Sequence, residues 1–161
     1  MKKFLVTMCA LVGIFMFTGC EKVSEKGNYR EGTYFGYDSY ESYGANYVTT
    51  AVVYVNEDGM IKSVFIDSTY DKDSVNTTKK SLGDNYGMKE TSVNIGVIPG
   101  GAEWYEQVAK IEDKVVSEQG LDWVKWSDEA KTKLDVDTIS GVTISSDSYI
   151  NAVSKALSQA K

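Results

Sequence analysis

Residues 47–68 read YVTTAVVYVNEDGMIKSVFIDS, and this stretch decides the fold class. Its first part, Tyr47 to Val55, is rich in Val, Thr and Tyr, which favour β-strands. Asn56 to Gly59 have the side chains of a turn, and the residues after the turn alternate in part between apolar and polar. The sequence therefore predicts a β-hairpin over residues 47–68.

The segment before the hairpin, residues 32–47, is crowded with Tyr, Gly and Ser. Tyr34, Tyr37, Tyr40 and Tyr43 recur in it at a spacing of three. We interpret it as a twisted strand with turns, whose rings cover one side of a core. A sugar-stacking surface is the alternative.

Two helices with apolar stripes are predicted after the hairpin. The stripe of the first helix, which ends at Gly120, consists of Trp104, Val108, Ile111 and Val115. The stripe of the second, which Ser145 or Ser146 can cap, consists of Ile150, Val153 and Leu157.

Weaker patterns complete the prediction. Asp71 to Lys80 is read as one or two helical turns, Ser81 to Lys89 as a loop, and Leu134 to Ile139 as a short strand. Trp123 and Trp126 are read as core residues, with ligand stacking as the alternative. The expected fold is a single α+β domain in which an antiparallel β-sheet with a hairpin packs against two or three helices.

The N-terminus has the pattern of a secretory signal. Lys2 and Lys3 precede an uncharged stretch from Phe4 to Phe17, which is shorter than the about 20 residues that a membrane-spanning helix needs. Gly19-Cys20 then resembles a bacterial lipobox, in which the cysteine is lipid-modified and becomes the mature N-terminus. We expect this processing; an uncleaved anchor is the alternative.

Processing before Cys20 divides the chain into a signal peptide, residues 1–19, a tether, residues 20–28, and a domain, residues 29–161. With or without cleavage, the domain is expected on the extracytoplasmic face of the cell membrane, and a lipid on Cys20 would anchor it there.

Composition excludes several kinds of chemistry. The chain has no histidine, so it has no histidine-based nucleophile pair and no metal site of the His-rich type. Of its two cysteines, Cys9 lies in the predicted signal and Cys20 is the predicted lipidation site. The 23 acidic residues outnumber 17 basic ones, which argues against nucleic-acid binding. We expect no catalytic residues and no metal, and therefore a binding module or the carrier of a borrowed cofactor.

Residues 137–146, DTISGVTISS, form the most informative motif. Gly141 permits a tight turn, Thr143 offers a hydroxyl, and the free amides at the start of the following helix would stabilise a phosphate. An ordinary turn followed by capping serines is the alternative.

This motif resembles the signature of the FMN-binding domain family, which occurs in sodium-pumping NADH:quinone reductases, Rnf-type complexes and flavinylated surface lipoproteins. Asp137, Ser140, Gly141 and Thr143 match the signature, and Val142 stands where Ala is usual. The resemblance implies that Thr143 carries FMN covalently through a phosphoester, installed from FAD by a magnesium-dependent flavin transferase outside the cytoplasm. It also implies that Asp137, Ser140 and Gly141 belong to the recognition motif.

Two upstream segments are similar to the family in the same order. They are the loop Asn85-Tyr86-Gly87-Met88 and the helical pair Trp104 and Gln107. The resemblance implies that Tyr86, Gly87, Met88, Trp104 and Gln107 line the isoalloxazine ring, although Tyr86 and Trp104 could equally be core residues.

The sequence thus favours a lipid-anchored extracytoplasmic flavoprotein that relays electrons from a membrane donor to an external acceptor. Such a protein is an electron carrier more than an enzyme with its own turnover. The alternative is a noncatalytic surface lipoprotein that binds a sugar or a protein partner through its Tyr-rich surface. A carboxylate-based hydrolase is disfavoured because no acid pair is recognisable.

Overall fold

The computed structural model describes residues 26–73, 75–96 and 98–161. The strands form one antiparallel meander in chain order: β1 (Gly32–Ser42), β2 (Ala45–Val55), β3 (Ile61–Lys72) and β4 (Val75–Thr78). The helices are α1 (Lys79–Leu82), α2 (Lys89–Ile95), α3 (Trp104–Ser117) and α4 (Asp147–Gln159), with a 3-10 turn over Gly83–Tyr86 between the first two. The predicted single α+β domain with an antiparallel sheet is confirmed.

Strands β2 and β3 are the predicted hairpin, extended beyond the expected ends. Ala51 and Val53 are fully buried and pair with Ile66 and Val64 of β3, so the apolar residues of both strands share one face. Asn56 closes the turn, because its Oδ1 accepts a hydrogen bond from the backbone N–H of Met60 at 2.9 Å.

The two long helices cover this face, α4 against β1 and β2 and α3 against β3. All predicted stripe residues of both helices are buried, which confirms both predicted helices: Trp104, Val108, Ile111, Val115, Ile150, Val153 and Leu157. Helix α3 ends three residues before the predicted Gly120.

Two side chains, Glu112 of α3 and Gln119 just after its end, cover the edge of β3. The Gln119 amide accepts a hydrogen bond from the N–H of Ile61 at 2.8 Å and donates one to its carbonyl at 3.0 Å. Glu112 accepts a hydrogen bond from the N–H of Ile66. These contacts satisfy backbone groups that β4 does not reach, since β4 pairs only with Thr69 to Lys72.

Gly36 of β1 lies directly under α4. A Cβ at this position would lie 2.0 Å from the carbonyl oxygen of Ala152, which is helix backbone and cannot rotate away. We expect Gly36→Ala to lower the free energy of unfolding by about 1–3 kcal/mol because α4 must shift. Denaturant titration checks this, with the exposed Ser39→Ala on the same strand as control. Equal midpoints for the two variants would contradict this packing.

Tyrosines of the Tyr-rich segment do not form one surface. Strand β1 exists as predicted, but a spacing of three places Tyr34 and Tyr40 on the helix-covered face and Tyr37 on the opposite face, because strand side chains alternate. Tyr43 is fully exposed in the turn to β2. The prediction that these rings all cover one side of the core is therefore wrong. Trp123, by contrast, is buried, and Trp126 packs against the core, as predicted.

Two predicted elements are wrong. Residues 71–80 are mostly strand and not helical turns, because Val75 to Thr78 pair with the end of β3. Residues 134–139 contain only an isolated bridge between Leu134 and Trp126, since the carbonyl of Asp135 accepts the N–H groups of Thr138 and Ile139 and folds the chain into a turn. The predicted loop at residues 81–89 includes the 3-10 turn, and α2 was not predicted.

The predicted signal peptide, Cys20 and the first part of the tether lie outside the described residues. Within residues 26–161, apart from 74 and 97, no helix is both long and apolar enough to cross a membrane.

Candidate functional site

Thr143 is held by Gln107 of α3. The backbone N–H of Thr143 donates a hydrogen bond to Oε1 of Gln107 at 2.8 Å, and the Thr143 hydroxyl donates to the same oxygen at 3.2 Å. Gln107 is fully buried, and its Nε2 donates to the carbonyl of Ala102 at 3.3 Å and to the sulfur of Met88 at 3.6 Å. The orientation of the amide is thereby fixed, with its oxygen towards Thr143.

The turn before Thr143 places the polar residues of the motif at the surface. Gly141 has a φ of 76°, and its carbonyl accepts a hydrogen bond from Lys110 of α3 at 3.3 Å. Asp137 and Ser140 are exposed, whereas Val142 is buried in the core. The motif is therefore anchored through Val142 while its polar residues remain accessible to a partner protein.

The N-terminus of α4 follows this segment. Ser146 is the N-cap residue, as predicted, but its hydroxyl donates to the carbonyl of Ile144 at 2.9 Å and does not cap the helix. None of the hydrogen bonds among the described residues uses the N–H groups of Asp147, Ser148 or Tyr149. The free amides expected at this helix end are therefore present.

A cavity of about 180 Å³ opens beside the motif. Ile144 and Ser145, the two residues after Thr143, line it together with residues of β1, α1, α3 and α4 and of the segment before α2. The main lining side chains are Tyr40, Lys79, Met88, Trp104, Ser148 and Tyr149. A larger cleft of about 590 Å³ lies between β2, β3 and β4 and contains none of the motif residues.

Aromatic rings form the back of the cavity. Trp104 is only 1% exposed; its Nε1 donates to the Tyr149 hydroxyl at 3.0 Å, and the two ring centroids lie 5.7 Å apart. The Tyr86 ring is 6.4 Å from that of Trp104. Burial raises the pKa of both Tyr86 and Tyr149, so these hydroxyls remain neutral at physiological pH. Trp104 is thus a core residue that also lines the cavity, whereas the partly buried Tyr86 packs against the core and is not part of the cavity lining.

The loop predicted at Tyr86 to Met88 is fixed by a glycine and a carboxylate. Gly87 has a φ of 78° and ends the 3-10 turn. The buried Glu103 carboxylate accepts hydrogen bonds from the N–H groups of Met88 and Lys89 at 2.8 and 3.1 Å. Glu103 was missed from the sequence, because a carboxylate before a helix is ordinarily read only as a cap. Here it also places Met88 against the cavity.

Lys79 was also missed. It is 8% exposed, and its Nζ lies 5.3 to 5.6 Å from the ring centroids of Tyr40, Tyr86 and Trp104. No local signal marked it, since it lies in a polar segment and its ring partners are distant in sequence. Among the residues that the structure describes, no group of three or more His, Cys, Asp or Glu residues could bind a metal ion.

A hydroxyl fixed beside an aromatic-lined cavity and near a free helix N-terminus defines a domain suited to carry a phosphate-bearing aromatic cofactor. The family model described as FMN-binding domain matches residues 44–158. The chain belongs to the FMN-binding domain family and is a flavin-binding protein, with FMN as its cofactor. The match begins just before β2 and includes every predicted cofactor-binding residue. Comparisons with curated proteins and with solved structures gave no match.

Proposed function

We propose that this protein is a lipid-anchored extracytoplasmic flavoprotein that carries FMN covalently on Thr143 and relays electrons from a membrane donor to external acceptors. The observation that carries the proposal is the pair of hydrogen bonds from Thr143 to the buried amide of Gln107. These bonds hold the predicted attachment residue in one orientation next to the cavity.

In the proposed modification, the Thr143 Oγ1 forms a bond to the FMN phosphorus of FAD. The pyrophosphate bond breaks, AMP leaves, and the hydroxyl proton passes to the flavin transferase or to solvent. Gln107 orients the hydroxyl before the reaction, while the exposed Asp137 and Ser140 are available for recognition by the transferase. The N–H groups at the start of α4 favour the resulting negative charge.

When bound, FMN supplies one- and two-electron chemistry that the side chains of this chain lack. The protein positions the flavin through the proposed bond at Thr143. Covalent attachment suits an extracytoplasmic site, since noncovalent occupancy falls when the free cofactor is diluted.

The relay function is tested with protein loaded from FAD by a flavin transferase and Mg²⁺. The flavin is reduced with dithionite under anaerobic conditions, the excess reductant is removed, and a ferric chelate is added. We expect the flavin absorbance to return with the formation of two ferrous ions per fully reduced flavin, because the flavin releases two electrons. A reduced flavin that no added acceptor reoxidises would contradict the relay and favour a binding function.

The proposed anchor gives a separate prediction. Cys20→Ser removes the sulfur that would carry the lipid, so we expect the protein to lose membrane attachment or to accumulate unprocessed. Fractionation of cells followed by intact-mass measurement checks this, with Cys9→Ser as the matched control. A Cys20→Ser protein that is processed and membrane-bound like the parent would rule out the lipid anchor.

A further inference from the structure

The buried, positively charged Lys79 forms no ion pair with another described residue. Among the described residues, no carboxylate oxygen lies within 4.0 Å of its Nζ, whereas Lys80, Lys114 and Lys155 each form an ion pair. Its near neighbours are the faces of three aromatic rings. Cation–π contacts offset only part of the cost of removing an ammonium group from water.

The charged and titratable groups around Lys79 come from several elements. Tyr40 of β1 and Tyr86 of the 3-10 turn face it as neutral rings. Asp67 of β3 attracts the ammonium, but its carboxylate already accepts the N–H groups of Ser68 and Lys80. Asp147 of α4 lies on the wall of the same cavity.

Burial and the attraction of Asp67 have opposite effects on the pKa of Lys79. Burial lowers the pKa of the Lys79 ammonium from 10.5 to about 8, although Asp67 favours the charged form. The side chain is therefore still mostly charged at pH 7. An ammonium group that stays charged in a buried position beside a cavity indicates a ligand that gains negative charge in that cavity.

We propose that Lys79 is the cationic partner of the flavin ring and raises its reduction potential. The inference rests on the proposed function, in which FMN tethered at Thr143 places its ring in this cavity. Reduction of a flavin by two electrons with uptake of one proton adds one negative charge. A nearby ammonium in a poorly hydrated site stabilises this charge and has less effect on the neutral oxidised ring. Lys79 thereby tunes the reduction potential of the flavin through its charge.

The test compares reduction potentials of flavin-loaded variants, measured by equilibration with reference dyes. For Lys79→Met we expect the equilibrium constant for two-electron reduction to fall about tenfold, which corresponds to about 30 mV. Lys79→Arg should keep most of the parent potential because it keeps the charge. Lys155→Met is the matched control, since Lys155 also lies over a tyrosine ring, that of Tyr37, but on the outside of the domain.

A flavin-free readout accompanies this comparison. Because the folded-state pKa of Lys79 lies below the unfolded value, the unfolded chain binds more protons between pH 8 and 10.5, and the contribution of Lys79 makes stability rise with pH across that window. Lys79→Met should remove this contribution and raise the denaturant midpoint at pH 7. The same rise in Lys155→Met would show a general charge effect and count against the argument.

The two proposals fail in different ways. Covalent flavin in both the parent and Lys79→Met with equal potentials would overturn the role of Lys79 and leave the proposed function intact. A parent protein that acquires no flavin would overturn both. If only Lys79→Met fails to load, equal potentials in Lys79→Gln and Lys79→Arg would overturn the tuning role.

Discussion

Replacing Thr143 with alanine is expected to abolish covalent flavin and to leave the domain folded. The change removes Oγ1, the atom that would bond to the phosphate, but the backbone N–H of Thr143 keeps its hydrogen bond to Gln107. Loss of the one hydroxyl hydrogen bond should cost only about 0.5–1.5 kcal/mol of stability. Flavin absorbance in the acid-precipitated protein, after treatment with FAD and the transferase, measures the effect.

Two further variants test whether the loss of flavin is specific to the Thr143 hydroxyl. Thr143→Ser keeps the hydroxyl and should retain part of the loading, while Ser154→Ala, at an exposed position of α4, should load like the parent. Flavin that remains bound to acid-precipitated Thr143→Ala would show that another residue is the attachment site.

Gln107→Leu is expected to produce the second-largest effect. The change removes the oxygen that accepts both hydrogen bonds from Thr143, in a fully buried position. We expect unfolding free energy to fall by about 1–3 kcal/mol, because buried polar groups lose their partners. Flavin loading should slow by about tenfold or more, because the hydroxyl is no longer held in one orientation.

Gln119→Leu is the matched control for that variant. Gln119 also makes hydrogen bonds to backbone groups at a distant element, but these bonds cap the edge of β3 at Ile61 and do not involve Thr143. We expect similar destabilisation by denaturant titration with a normal loading rate. Equal loading rates in both variants would contradict a specific role for Gln107.

The regular part of the fold could be predicted because its signals are local. Residues 47–68 alternate in a pattern that fits a sheet covered on one face, and the stripes of α3 and α4 have helical spacing. Residues 71–80 were mispredicted because their polar side chains conceal a strand that is stabilised by pairing with β3. The segment 134–139 has strand-like residues, but hydrogen bonds to Asp135 bend it into a turn.

The site could be predicted only where a linear motif marks it. Thr143 and Gln107 were both identified from the resemblance, yet their contact joins residues 36 positions apart and is a product of packing. Lys79 could not be identified, because its surroundings depend on how Trp104 of α3 and Tyr40 of β1 meet. The sequence therefore indicated the cofactor, whereas the groups that would tune it required the fold.

Covalent attachment of FMN to Thr143 can be read directly by tandem mass spectrometry of peptides from the flavin-loaded parent protein. We expect one modified peptide, heavier by FMN less one water, with fragment ions that place the addition on Thr143. An unmodified Thr143 peptide together with flavin on another residue, or flavin that is released completely on denaturation, would contradict it.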